Sequence, residues 1–131
     1  MIALDTNVLV RYLVEDDAEQ SARAARLIEG AADQGDALFV AHIVVCEVVW
    51  VLQDAYRISK PEVIATLKNL VRARHLELED VELVRKALAD FEAGKGDFAD
   101  YLIRERSAAR GCERVATFDK TLWRDAGFFA P

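Results

Sequence analysis

Short apolar runs alternate with longer stretches of helical spacing along this chain, and that rhythm admits few folds. The first run, residues 1–4, is too short for a helix and stops at Asp5, Thr6 and Asn7. It predicts a buried central strand ending at Asp5. Helical patterns follow over residues 8–14 and 18–32, the second with Ala24, Leu27, Ile28 and Ala31 on its inward face. Residues 37–41 predict a second strand. Residues 42–52 are the most apolar segment; their β-branched content suits a strand, but their length and the interruption at Glu47 predict a buried helix.

Ser59, Pro61 and Glu62 stand as N-cap, first-turn and capping-box residues of a helix running to about residue 74. Residues 75–79 alternate apolar with polar, which predicts a strand at a sheet edge. Asp80 is placed to cap the next helix, whose Val81, Leu83, Val84, Ala87, Leu88 and Phe91 face inward before Gly94 and Gly96 end it. A helix over residues 98–110 closes at Gly111. Residues 115–117 predict a short strand, Asp119 opens a last helical turn, and Phe128 with Phe129 predicts a final edge strand.

Strands and helices in this order indicate βαβ units, hence an α/β fold with a small, mostly parallel sheet of four to five strands and helices on both faces. At 131 residues the chain fits a single domain, 1–131, that needs neither disulfide nor structural metal. No apolar run is long enough to span a bilayer, and Asp5 interrupts the N-terminus before a secretory h-region could form. A cytoplasmic protein with no membrane partner is expected. Cys46 and Cys112 have no metal-ligand spacing and are expected to be reduced and structural.

The net charge of −6 argues against holding nucleic acid by bulk positive charge. Its distribution tempers that, because residues 101–131 carry more basic than acidic side chains and most of the 17 basic residues are Arg.

Five acids stand out. Asp5 and Asp119 each follow a predicted strand, at the carboxyl end where parallel α/β sheets bind ligands. Asp97 and Asp100 lie three apart at a helix start, on one face near its positive end. Glu47 sits among Val44, Val45, Val48 and Val49, where a carboxylate is expected to lose hydration and its pKa to climb unless a cation is near. Each has a plainer reading. Asp5, Asp97 and Asp119 suit helix N-caps, and Glu47 suits a partly exposed stripe or an Arg pair. Acids gathered in one crevice repel one another, and carboxylates without His or Cys favour Mg²⁺ or Mn²⁺ over zinc.

Leu4, Asp5, Thr6, Asn7, Val8 and Leu9, then Glu47 within residues 46–52, then Asp97, Phe98, Ala99 and Asp100, then Thr117, Phe118 and Asp119 resemble, in order, the motif blocks of PIN-domain ribonucleases. More narrowly, the chain resembles the VapC toxins of bacterial VapBC toxin–antitoxin modules. That resemblance implies a PIN-like three-layer α/β/α sandwich. It also implies a Mg²⁺-dependent endoribonuclease, with Mn²⁺ as substitute, that hydrolyses RNA phosphodiester bonds. The acidic quartet falls on Asp5, Glu47, Asp100 and Asp119, with Asp97 close by as ligand or N-cap. Asp5, Asp100 and Asp119 would be metal ligands, and Asn7 and Thr117 supporting polar residues. The implied partners are a cognate VapB-type antitoxin, RNA and a second copy of the chain, and a toxin–antitoxin hetero-oligomer on operator DNA. His42 stands where a small or hydroxyl residue is common.

Two other classes fit less well. A phosphorelay receiver also gathers acids around Mg²⁺, but needs a phosphoacceptor Asp after a middle strand and a late Lys, where this chain has His42, Asp80 and a misplaced Lys120. A PIN-like binding module without catalysis should show broken acidic positions, and the quartet is intact.

Overall fold

Every helical pattern folds as a helix in a computed structural model that describes residues 1–131. The chain divides into two units, Met1–Val81 and Glu82–Pro131.

In the first unit, β1 (Ile2–Ala3) leads into α1 (Thr6–Leu13) and α2 (Ala18–Asp33), then β2 (Leu38–Val40), α3 (His42–Trp50), α4 (Lys60–Arg72) and β3 (Leu76–Leu78). The strands form a parallel sheet in the order β1, β2, β3, with Ile2 opposite Leu38 and Val40 opposite Leu78. Parallel pairing puts all three carboxyl ends on one edge, the edge at which α1 and α3 begin. Leu9, Ile28, Leu38, Val45, Val48 and Val63 are fully buried around the sheet, each contributing about 1.5–3 kcal/mol of transfer free energy. α3 runs on into a single π-helical turn, Val51–Ala55, closed by the Tyr56 amide on the Val51 carbonyl at 3.2 Å.

Local chemistry sets the boundaries. Asp17 caps α2 by accepting from the Gln20 amide at 3.0 Å, and Ser59 caps α4 through the Glu62 amide at 3.4 Å. Arg11 ties the α1–α2 turn to the chain beyond the π turn. Its Nε donates to Gln20 at 2.7 Å and its Nη1 to the Tyr56 hydroxyl at 2.9 Å, while that hydroxyl donates to Asp16 at 2.7 Å.

The second unit carries α5 (Val81–Ala93, all but its first residue), α6 (Phe98–Ala109), β4 (Val115–Ala116), a 3₁₀ turn (Lys120–Leu122) and β5 (Phe128–Phe129). β4 and β5 pair in parallel, Val115 opposite Phe128. Phe91 meets Phe98 edge to face at 6.2 Å between ring centroids, and Tyr101 meets Phe128 likewise at 6.3 Å. Arg104 lies over both Tyr101 and Phe128, pairs with Asp90 at 2.8 Å and donates to the Ala126 carbonyl at 2.7 Å.

Some expectations change. β1 is an exposed edge strand rather than a buried central one, because β2 takes the middle of its sheet. Every strand pair is parallel, but the strands hydrogen-bond as a set of three and a set of two rather than as one sheet. Leu27 is exposed despite its helical spacing. Asp80, expected to cap the next helix, has a left-handed φ of 36°. No helix is long and apolar enough to cross a membrane.

Candidate active site

In the first unit the chain leaves β1 at Asp5, whose extended backbone caps α1 and whose Oδ1 accepts from the Thr6 amide at 2.8 Å. Thr6 is buried, and its Oγ1 donates to Glu47 Oε1 at 3.2 Å. That bond joins the start of α1 to the middle of α3 across 41 residues of chain. Glu47 itself is exposed, not desolvated as its apolar neighbours led us to expect. The helical period explains it: Ile43 (69% exposed), Glu47 and Trp50 (65% exposed) share one solvent-facing stripe, while Val44, Val45, Val48 and Val49 fill the others. Asn7, expected as a support, is exposed and bonds to neither acid; it lines a groove with Arg11, Gln20 and Arg23. His42 is buried at the first turn of α3, where its backbone N–H donates to Glu79 at 2.8 Å.

In the second unit, Asp97 is the N-cap of α6, with extended φ −81° and ψ 157°. The strong capping bond is not its own. Asp100, at the third helical position, folds back so that its Oδ2 accepts from the Asp97 amide at 2.9 Å. The Asp97 carboxylate lies over the Asp100 amide in the capping-box manner without closing a full hydrogen bond. Asp119, past the end of β4, accepts at Oδ1 from the Thr121 amide at 3.0 Å and the Thr121 hydroxyl at 2.7 Å. Thr117 supports it, its Oγ1 accepting from the Asp119 amide at 3.1 Å. Burial raises the Asp100 pKa above its ordinary value, and the charges of Asp97 and Asp119 add to that, while the Asp97 N–H works against it.

One pattern runs through four of the five acids. Asp5, Glu47, Asp100 and Asp119 each commit one oxygen to a donor and leave the other without a partner, and none forms an ion pair. Side chains fixed in this way are oriented without being neutralised, the condition of a carboxylate set to take a ligand. Asp97 lacks such an anchor.

Residues 2–128 match the PIN domain family. The chain belongs to the PIN-domain family. Among characterised proteins it is similar to the VapC ribonuclease of Aquifex aeolicus (strain VF5), 23% identical over 120 residues that cover 92% of this chain and 88% of that protein. Together the two findings support a VapC-type PIN protein. The α/β architecture with its small parallel sheet is the PIN fold the sequence predicted.

PIN nucleases generally use divalent metal ions. In this PIN protein the candidate donors are all carboxylate oxygens, hard ligands matched in kind to a hard divalent cation; the Asp100 pKa is raised first by burial, with smaller contributions from the charges of Asp97 and Asp119. As the side chains stand, no three of its His, Cys, Asp or Glu residues are gathered around one point as a finished cage. Thr6 is the residue that sequence reasoning passed over. Its signal was available: a polar residue directly after a cap Asp and before an apolar helix, at a position facing the core.

Proposed function

We propose that this protein is the toxin of a type II toxin–antitoxin pair, a Mg²⁺- or Mn²⁺-dependent endoribonuclease that hydrolyses RNA phosphodiester bonds. The observation that carries the reading is the match of residues 2–128 to the PIN family in a chain whose four motif acids are each held by one oxygen and open at the other. Likeness to a protein named VapC ribonuclease supports the substrate class.

Asp5, Asp100 and Asp119 are the residues we propose hold the cation, on the strength of the matched motifs. A divalent cation held there would neutralise charge at the scissile phosphate and make a bound water more acidic. The chain's own part is positional. The Thr6 amide fixes Asp5, the Asp97 amide fixes Asp100, and Thr121 fixes Asp119. Glu47, exposed and held by Thr6, would complete the metal site or orient a water there. Asp97 keeps the start of α6 in register, and Thr117 holds the backbone under Asp119.

The same reading makes the protein a cytoplasmic homodimer, produced with a VapB-type antitoxin and joining it in a hetero-oligomer on operator DNA. The deciding experiment incubates purified protein with single-stranded RNA in EDTA, Mg²⁺ or Mn²⁺. Internal cleavage is expected only with metal, and Asp5→Asn should be folded and inert. Cleavage that survives EDTA, or an Asp5→Asn protein as active as wild type, would refute it.

A further inference from the structure

The most exposed large apolar side chain in the molecule is Phe118, 84% exposed, between Thr117 and the proposed metal ligand Asp119. A lone exposed Phe is ordinary on a protein surface. What sets Phe118 apart is how firmly its backbone is held. The Thr117 amide donates to the Phe129 carbonyl at 3.0 Å, the Trp123 indole N–H donates to the Thr117 carbonyl at 2.8 Å, and the Asp119 amide donates to Thr117 Oγ1 at 3.1 Å. Asp119 is fixed in turn by Thr121. An apolar ring is thus presented to water from a segment with little freedom left to lose. Rigid presentation lowers the entropic cost of using that ring in binding.

Both signs of charge follow it in sequence, Asp119 first and then Lys120 and Arg124. Lys120 and Arg124 are exposed and make no ion pair, although the chain as a whole carries −6. Arg114 covers the neighbouring Phe129 face at 4.2 Å, so that ring is occupied and Phe118 is the one left open. An open aromatic face with free cations alongside is the chemistry that binds single-stranded nucleic acid: bases stack on the ring and phosphates meet the cations. Phe118 directly precedes Asp119, so the ring and the proposed ligand belong to one short, anchored segment.

We propose that Phe118 is a stacking platform for a base of the RNA substrate next to the scissile phosphate, with Lys120 and Arg124 receiving the flanking phosphates. This subsite rests on the ribonuclease reading. It makes single-stranded RNA with an unpaired base at that position the preferred substrate.

The test measures steady-state cleavage of a single-stranded RNA 12-mer by wild type, Phe118→Ala, Phe118→Leu and Phe118→Trp. In parallel, the fluorescence of the same RNA carrying 2-aminopurine is followed in EDTA. Losing one stacked base should raise KM about tenfold in Phe118→Ala. The value of kcat should hold within about twofold, and the melting midpoint should not move, because the ring is exposed. Phe118→Leu should behave like Phe118→Ala, since it keeps apolar bulk without a π face, and Phe118→Trp should restore KM. Wild type and Phe118→Trp should quench 2-aminopurine at one position, and the other two variants should not. If wild type cleaves and Phe118→Ala or Phe118→Leu matches its KM, the platform is refuted while the ribonuclease reading stands. A shift in oligomeric state with unchanged KM would instead make Phe118 a protein contact and overturn the proposal. If wild type cleaves no RNA with either metal, both readings fall together.

Discussion

Replacing Tyr101 with Phe removes a single hydroxyl, yet that hydroxyl organises the entry to α6. It is buried, donates to Asp125 Oδ2 at 2.6 Å and accepts from the Gly96 amide at 2.9 Å. Burial and the Asp125 bond both raise its pKa, so it stays a neutral donor at physiological pH. A hydrogen bond to a charged group contributes about 1.5–3 kcal/mol, and a buried donor left without a partner costs about 1–3 kcal/mol. The two losses share one atom and do not add fully. Tyr101→Phe should therefore destabilise the protein by about 3 kcal/mol. Urea unfolding at fixed pH, followed by far-UV circular dichroism, reads this directly as a lowered midpoint at constant slope. The hydroxyl is closely packed in wild type, where a Cβ on Gly94 would run into it and one on Gly96 would run into Leu122 Cδ2. Cleavage should fall as well, since Gly96 immediately precedes the amide that anchors Asp100. A loss below about 0.5 kcal/mol, within the range of an ordinary surface substitution, would show that water replaces the hydroxyl and that this packing does not set the α6 entry.

Three further outcomes follow from the site. Asp100 has a raised folded-state pKa, so the fold favours its protonated form; that contribution is present below the unfolded value of 3.8 and lost as pH rises through the folded one. Asp100→Asn, always neutral and still able to accept from the Asp97 amide, should in EDTA gain stability relative to wild type as pH rises from about 3 to about 7; urea midpoints across that range check it, and a gap that narrows with pH contradicts it. Thr6→Val should cost about 1 kcal/mol, and paired with Glu47→Ala in a double-mutant cycle should show coupling of at least about 0.5 kcal/mol; additive losses would mean that the Thr6 to Glu47 bond does not form in solution. Asp97→Ser should retain both cleavage and midpoint, since Ser also caps and the strong bond belongs to Asp100; a folded Asp97→Ser as inactive as Asp100→Asn would make Asp97 a ligand.

The helices were legible because their ends carry local chemistry. Asp17, Ser59 and Gly111 mark boundaries through donors and backbone angles within a few residues, and the structure places those ends where the residue types imply. Lateral order was not legible. A four-residue apolar run reads alike at the centre of a sheet and at its edge, and only pairing partners 36 residues away decide that β1 is outermost, as Ile2 sits opposite Leu38. α3 posed the same difficulty in another form. Its apolar residues surround the whole helix, so no period singles out a solvent face, and Glu47 looked buried when it shares an exposed stripe with Ile43 and Trp50.

For the acids, capping and chemistry stood in the sequence as competing readings, and the bonds in the structure show that one does not exclude the other. A carboxylate has two oxygens. Asp5 caps with Oδ1, Asp119 anchors with Oδ1 and Asp100 with Oδ2, each to a donor within three residues, and in each case the second oxygen stays open. The local bond that makes an Asp a plausible cap is thus what fixes the remaining oxygen in direction, without the reorganisation that a free side chain would require. Glu47 departs from this scheme. Its anchor, Thr6, is 41 residues away, so nothing local could mark it, and its orientation exists only once α1 and α3 have packed. Three of the four acids are therefore oriented by secondary structure alone, and the fourth depends on tertiary folding. Loosening the contact of α1 with α3 should then disturb Glu47 first and leave the anchors of the three aspartates intact.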